Sequence, residues 1–276
     1  MFWQTTRFRI DLSRPQVMGI VNVTPDSFSD GGQHASTAQA LAHCEQLLKE
    51  GVDILDVGGE STRPGSPAVS LQDELARVLP VLRGAVTLGV PVSIDTYKPE
   101  VMQVALDLGV DIINDIWALR QPGAATVVAD HPQCGVCLMH MHRDPQTMQV
   151  APMQGDVVEQ VREFLLHAAR ALEARGVAAD RVMLDPGIGF GKTVEQNFAL
   201  LARQRELLAD GYPVLAGWSR KSSLGAVTGL PVDARMAPSV VAAVLAVQNG
   251  AQVVRVHDVR ETVASLAVLK AAYLQA

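Results

Sequence analysis

A chain of 276 residues, 48% apolar and 19% charged, has the composition of an ordinary globular protein and the length for one large core. A formal net charge of -6 with no long basic run argues against nucleic acid as the main partner. The longest apolar run, Val240 to Val247, is far short of the ~18 residues of a membrane span, and the N-terminus lacks the apolar core of a signal peptide. No membrane association is therefore expected, and three cysteines, an odd number that makes no disulfide framework, point to a reducing cytoplasm.

Residues 1–16 are expected to form a lead-in β-hairpin that closes the bottom of the fold. Val17–Asn22 is an apolar strand ending on an amide. The loop TPDSFSDGGQHAS follows, and loops this long in compact domains are usually functional. A helix is expected from about Thr37 to Glu50 with Gly51 as its stop, then a strand Ile54–Val57 and a second long loop, GGESTRPGSPAVS. Ser70 and Asp73 make a capping-box-like start to the next helix.

The stretch Pro91–Asn114 shows the repeating unit most clearly. The apolar run Val92–Ile94 stops on Asp95, and Lys98-Pro99 opens a helix, because proline at the first helical position loses no needed N–H. Val101, Ala105 and Leu108 share one helical face, and Gly109 ends the helix. A second apolar run, Ile112-Ile113, stops on Asn114. This is a parallel strand–helix–strand crossover whose strands carry polar side chains at their C-terminal ends, where ligands sit in such folds.

A helix near Ala124–Asp130 leads to the strand Gly135–Met139. The helix Asp156–Arg175 follows, with Val158, Val161, Leu165, Ala168 and Leu172 on one face. Val182–Leu184 is a strand ending on Asp185, Glu195–Leu208 a helix, and Val214–Ala216 a strand opening onto GWSRKSS. A helix from about Asp233 to Asn249, capped by Gly250, leads to the strand Val253–Val256 and a closing helix. Eight strands alternating with eight helices, with no internal linker, predict an α/β chain folded as one domain over 1–276, a (β/α)8 TIM barrel with long first and second βα loops. An open doubly wound sheet is the alternative.

The strand ends read in order as Asn22, Asp56, Asp95, Asn114, His140, Asp185, Ser219-Arg220-Lys221, and Arg255 with His257. Asp95, Asn114 and Asp185 can hydrogen-bond a flat ring with an amino-pyrimidinone edge, as carboxylates do with adjacent N–H donors. Arg255, His257, Asn22 and Thr62-Arg63 suit a pyrophosphate with a divalent ion. The bland alternative for any one of them is capping a strand or tying a loop.

Other signals are discounted. The run Gly187–Thr193 looks like a phosphate-binding loop, but Pro186 stands at its first required glycine, and its glycines suit close approach of the backbone to a flat ring. Cys134 and Cys137 have zinc-like spacing without a second pair. His140 and His142 straddle a strand end with no carboxylate nearby in sequence. Lys221 reads as a positioned ammonium beside Arg220 rather than a Schiff-base lysine.

The segments MGIVNVTPDSFSDGG (Met18–Gly32), DVGGESTRPG (Asp56–Gly65), SIDTYKPEV (Ser93–Val101), IINDI (Ile112–Ile116), CLMHM (Cys137–Met141) and LDPGIGFGK (Leu184–Lys192) resemble the dihydropteroate synthase family. Gly217, SRKS (Ser219–Ser222) and RVHDV (Arg255–Val259) extend the resemblance nearly end to end, with departures at Trp117, Trp218 and Ala237-Pro238-Ser239. It implies a barrel transferase that condenses p-aminobenzoate with 6-hydroxymethyl-7,8-dihydropterin pyrophosphate, assisted by Mg²⁺. The products are 7,8-dihydropteroate and pyrophosphate, and the enzyme is a homodimer through barrel helices. The resemblance implies that Asp95, Asn114, Asp185 and Lys221 hold the pterin. Asn22, Thr62, Arg63, Arg255 and His257 hold the pyrophosphate, with Asn22 on the metal. The p-aminobenzoate lies near Phe28, Pro64 and Phe190, with its carboxylate at Ser219 and Ser222 by a helix N-terminus.

Asp185, Lys221 and Arg255 are expected to act in catalysis. Pyrophosphate leaves once its charge is neutralised, with no enzyme nucleophile needed. Cleavage at the pterin methylene leaves a ring-stabilised cation that a carboxylate at Asp185 favours, and the aniline nitrogen attacks it. A corrinoid methyltransferase on the same kind of barrel needs no pyrophosphate site, so the Ser219–Lys221 and Arg255–His257 groups count against that reading. A non-catalytic pterin-binding descendant would have lost its anion-binding residues, and these are present.

Overall fold

The computed structural model describes residues 1–24, 32–61, 66–143 and 153–273. The strands β1 (Phe2–Gln4) and β2 (Arg9–Asp11) pair antiparallel as the expected hairpin. After them come β3 (Gln16–Asn22), α1 (Gly32–Lys49), β4 (Ile54–Gly58), α2 (Leu71–Ala85), β5 (Val92–Asp95) and α3 (Pro99–Asp107). The middle of the chain forms β6 (Ile112–Asp115), α4 (Ala124–Asp130), β7 (Gly135–Met139), α5 (Val157–Glu173), β8 (Val182–Asp185) and α6 (Val194–Ala202). The last elements are β9 (Leu215–Ala216), α7 (Ser222–Thr228), α8 (Met236–Gln248), β10 (Val253–Val256) and α9 (Val259–Tyr273).

The large sheet is parallel throughout, in the order β8-β7-β6-β5-β4-β3-β10-β9. A parallel bridge between Leu184 and Val214, with the Leu184 N–H donating to Pro213 O at 2.9 Å, joins its two ends. The sheet is therefore a barrel, because an open doubly wound sheet would leave β8 and β9 as edges. Helices cover its outside, which is why the strands are near-continuous apolar runs.

Inside the bottom of the barrel, Met18, Ile54, Ile112, Cys137, Met183, Leu215 and Val253 meet Trp3, Ile10 and Leu12 of the hairpin. The Trp3 indole N–H donates to Arg181 O at 2.9 Å, so the hairpin plugs the end it was expected to close. Buried Asp111 accepts from the Arg7 and Val92 amides, at 3.0 and 2.9 Å, and from the Arg7 guanidinium, tying plug to barrel.

Several helix limits differ from expectation. The helix expected over Glu195–Leu208 stops at Ala202, and Gln204–Leu208 tightens into a 3₁₀ turn. That turn brings buried Gln204 to donate to Ala246 O at 2.8 Å, which a continuous α-helix would point elsewhere. The helix expected from Asp233 is likewise a 3₁₀ turn at Val232–Ala234 followed by α8. Pro238 sits in the first turn of α8, where its missing N–H has no intrahelical partner to lose. On α5 it is Ala169, not Ala168, that is buried with Val158, Val161, Leu165 and Leu172. Ser70 caps α2 as expected, its hydroxyl accepting from the Asp73 N–H at 3.1 Å. Among the described residues no helix is long and apolar enough to cross a membrane.

Candidate active site at the barrel mouth

Side chains alternate along a strand, so residues two positions above the apolar inner layer also face inward. Above Ile54, Ile112, Met183 and Val253 these are Asp56, Asn114, Asp185 and Arg255, and Asp95 stands in the same way above the buried Ser93 of β5. The first polar layer of the barrel is thus made of the strand ends singled out from the sequence.

Arg255 organises that layer. Its Nε donates to Asp56 Oδ2 at 2.6 Å and its Nη2 to Asp95 Oδ2 at 2.7 Å. The same Asp56 oxygen accepts from Asn114 Nδ2 at 3.2 Å. Burial works against the guanidinium charge, but Asp56 and Asp95 hold it protonated and raise it above its ordinary value. The reading of Arg255 as a phosphate ligand alone is therefore too narrow: it also neutralises two carboxylates. Burial lifts the Asp95 carboxyl to about 7, against the pull of Arg255 and with Asp56, Glu74 and Asp115 adding to the rise. Asp56 Oδ1, Asp95 Oδ1 and Ser93 Oγ are buried with no hydrogen-bond partner among the described residues. Buried oxygens left without donors are costly, and a ligand's N–H groups would satisfy them.

On the far side of the layer, Asp185 Oδ1 accepts the Gly187 N–H at 2.7 Å. Burial raises this carboxyl, opposed by that N–H and by Lys221, Lys192 and Arg255. Gly187 has φ 67°, and a Cβ there would lie 1.9 Å from His140 O, so both its angle and the space require glycine. The Lys221 ammonium lies 4.3 Å from the centre of the Phe190 ring. Burial lowers it to about 8, while Asp185 pulls it up and Arg255 down. Phe190 packs with Ile116, Met139 and Met141, bordered by Tyr97 and Trp117. A line of acceptors beside an apolar, partly aromatic wall suits a flat heteroaromatic ring.

Around this layer stand the anion-binding candidates. Asn22 is half-buried at the end of β3, paired in register with Gly58. Ser219 Oγ accepts the His257 backbone N–H at 3.1 Å and lies 2.9 Å from His257 Nδ1, so this serine orients the imidazole. Ser222 is exposed in the first turn of α7. Arg220, at a left-handed φ of 58°, points away from Lys221 to Asp258, with Nη2 to Oδ1 at 2.7 Å. Lys221 itself faces Phe190 and Asp185 rather than its sequence neighbour Arg220. Phe28, Thr62, Arg63 and Pro64 lie outside the described residues. The stem of the second loop is described: Ser66 Oγ donates to Ser61 Oγ at 3.0 Å, and Lys98 pairs with Glu60 and Glu74.

Some groups escaped the sequence reading. Asp115, one residue past Asn114 and on the opposite face, accepts the Trp117 and Leu119 N–H groups at 2.8 and 2.7 Å. It braces a turn in which Ala118 and Leu119 have left-handed φ of 49° and 59°. Asn197 Nδ2 donates to Ser223 Oγ at 2.9 Å while its Oδ1 accepts the Gly189 N–H at 2.8 Å. A polar residue on a predicted helix gives no local sign of such a role. His140 turns inward, its ring edge-on to Phe164 with centroids 4.9 Å apart. Trp218 is buried against Phe198, and Trp117 flanks Tyr97, so both departures from the family pattern line the mouth's surroundings.

Among the described residues no cluster of His, Cys, Asp or Glu could hold a metal by itself. A Mg²⁺ ion commonly takes one or two protein oxygens and completes its shell with substrate phosphates and water. The amide oxygen of Asn22, a hard neutral donor at the C-terminal end of β3, fits that arrangement.

A family profile described as "Pterin binding enzyme" matches residues 18–257. Dihydropteroate synthase of Neisseria meningitidis serogroup C is 52% identical over 268 residues, covering 96% of this chain and 95% of its own. The crystal structure of Burkholderia cenocepacia dihydropteroate synthase complexed with 7,8-dihydropteroate has a TM-score of 0.92 at 51% identity, covering 99% of this chain and 97% of that one. The Xanthomonas albilineans enzyme with 4-aminobenzoic acid has a TM-score of 0.93 at 48% identity, covering 99% of each chain. With that barrel mouth and these likenesses, the chain belongs to the dihydropteroate synthases, transferases of folate biosynthesis within the pterin-binding enzymes.

Proposed function

We propose that the mouth divides the condensation of 6-hydroxymethyl-7,8-dihydropterin pyrophosphate with p-aminobenzoate among three groups of side chains. The observation that carries this division is the inner layer of Asp95, Asn114, Asp185 and Lys221 set beside the Phe190 wall. The carboxylates accept from the ring's N–H edge, and Lys221 donates to its carbonyl side. Asp185 also favours the positive charge that develops at the methylene as the carbon–oxygen bond breaks.

Asn22, His257, Thr62, Arg63 and Arg255 receive the pyrophosphate. Arg255 places two donors on Asp56 and Asp95, and its other N–H groups can serve a phosphate oxygen. When held through Asn22, Mg²⁺ would neutralise charge on the leaving pyrophosphate. The p-aminobenzoate is assigned to Phe28, Pro64 and Phe190, with its carboxylate toward Ser222. Ser219 acts on the anion side by holding the His257 imidazole.

A second copy of the chain is the proposed partner. Val227, Leu230, Val232, Met236, Val241 and Leu245 are exposed along α7, its exit and α8, and an apolar face of this kind fits helix-to-helix packing in a homodimer. Cys44, Cys134 and Cys137 are free and buried, in keeping with a reducing cytoplasm. The decisive assay is pyrophosphate release from dihydropterin pyrophosphate with and without p-aminobenzoate. Release should depend on p-aminobenzoate and yield dihydropteroate one for one; no dihydropteroate under any condition would overturn the reading.

A further inference from the structure

Lys192 has no part in the division above, yet its amine is buried in the middle of the site's supporting structure. Its Nζ lies 2.8 Å from Gly187 O, 3.2 Å from Phe190 O, 3.3 Å from His140 O and 2.9 Å from His140 Nδ1. A buried lysine usually faces a carboxylate, and this one is surrounded by carbonyls and a ring nitrogen instead. Burial lowers it to about 7, although Asp185 pulls it up. His140 is itself held, its backbone N–H donating to Asp185 O at 2.9 Å and its ring packed edge-on to Phe164 of α5.

One nitrogen thus links the end of β7 to both ends of the turn after β8. The turn has little shape of its own. Gly187, Gly189 and Gly191 take positive φ of 67°, 85° and 74°, and glycine has no preference that would enforce those values. The turn nonetheless sets three parts of the ring site. Its Gly187 N–H orients the Asp185 carboxylate, its Gly189 backbone lies against the Lys221 stem, and its Phe190 ring supports the Lys221 ammonium.

We propose that Lys192 is a positioning residue for pterin recognition, its amine tying the Gly187–Phe190 turn into the shape that presents Asp185, Lys221 and the Phe190 ring to the substrate. The proposal rests on the assignment of Asp185 and Lys221 to the pterin. Removing the amine leaves the Gly187 and Phe190 carbonyls buried without their donor, and the glycines let the turn move to find others.

The test is calorimetric binding of 6-hydroxymethylpterin to Lys192→Met, Lys192→Gln and Asp185→Asn, with thermal midpoints and steady-state kinetics alongside. Lys192→Met should bind the pterin ~10-fold or more weakly, the scale of a buried polar group losing its partner, with KM for the dihydropterin pyrophosphate rising in parallel. Affinity for pyrophosphate with Mg²⁺ should stay near wild type, and Lys192→Gln, which keeps N–H donors, should recover most of the pterin affinity. A merely structural lysine would lower the thermal midpoint and leave pterin affinity of the folded protein unchanged. That result overturns the proposal, as does an equal loss for both ligands. Should Lys192→Met not fold, His140→Leu against His140→Asn decides the matter: the leucine variant should bind pterin more weakly and the asparagine variant should restore it, and wild-type affinity in both overturns the proposal. Loss in Asp185→Asn with none in Lys192→Met defeats the Lys192 role alone; retained pterin affinity in Asp185→Asn brings down the ring assignment and this proposal with it.

Discussion

A single oxygen of Asp56 accepts from both Arg255 and Asn114, and that atom changes what the arginine does. Arg255→Ala would strip the counter-charge from two buried carboxylates as well as from the phosphate. It should therefore weaken the bare hydroxymethyl pterin together with its pyrophosphate, and lower folding stability by about 3 kcal/mol, the usual scale for breaking a buried ion pair. Calorimetry with both ligands and a denaturation curve check this; a loss confined to the pyrophosphorylated ligand would return Arg255 to phosphate binding alone. The same layer sets a pH dependence. Asp95 accepts from ring N–H groups only when ionised, and burial puts its carboxyl at about 7. Lys221 donates as an ammonium only below about 8. Raising the pH through the first value supplies the carboxylate and raising it through the second removes the ammonium, so kcat/KM should peak between them. Asp185, also raised by burial, adds to the acid limb. The profile of Asp95→Asn should lose part of that limb; an acid limb of unchanged position and steepness would exclude Asp95.

The turn after β8 and the N-terminal hairpin show how differently the two ends of the barrel are used. Gly187→Ala would drive a methyl to 1.9 Å from His140 O at a φ of 67°, so the turn could not keep its shape. We expect a folded barrel that has lost pterin affinity by ~100-fold, since a local rearrangement displaces the Asp185 and Phe190 supports together. Circular dichroism with calorimetry tests it, and near-normal binding would mean the turn is not part of the pocket. At the opposite end, Asp111 holds the Arg7 and Val92 amides and the Arg7 guanidinium. Asp111→Ala should cost about 3 kcal/mol of stability, because buried donors are left without an acceptor, while kcat stays unchanged. A fall in kcat at undiminished stability would contradict the separation of a stabilising bottom from a catalytic top.

For the assembled molecule, the exposed apolar residues of α7 and α8 are the feature least explained by a lone barrel. Val241 is 58% exposed on α8, so a charge there should leave the monomer fold intact. Val241→Glu, with Leu245→Glu if one charge is not enough, should shift the chain from dimer to monomer in sedimentation equilibrium. An unchanged dimer would place the interface elsewhere, and a monomeric wild type would remove the proposal.

The chain by itself was enough to place Asn22, Asp95, Asn114, Asp185 and Arg255 at one end of the fold. Apolar runs that stop on polar residues, spaced by amphipathic helices, are local patterns, and period-two alternation assigns each strand's inner face without knowledge of its neighbours. Helix limits were less legible where a tertiary contact overrode the local pattern, as Gln204 reaching Ala246 did to the end of α6. Partnerships were not legible at all. Arg255 and Asp56 are 199 residues apart, and Lys192 and His140 are 52 apart. Which strand end meets which depends on strand order and on closure through the Leu184–Val214 bridge, and neither leaves a trace in any short window of sequence. Only the closed barrel sets two acids against one guanidinium, or turns the lysine of a glycine-rich run inward, because those energies exist only once distant strands are brought within hydrogen-bonding distance in a medium from which water is excluded.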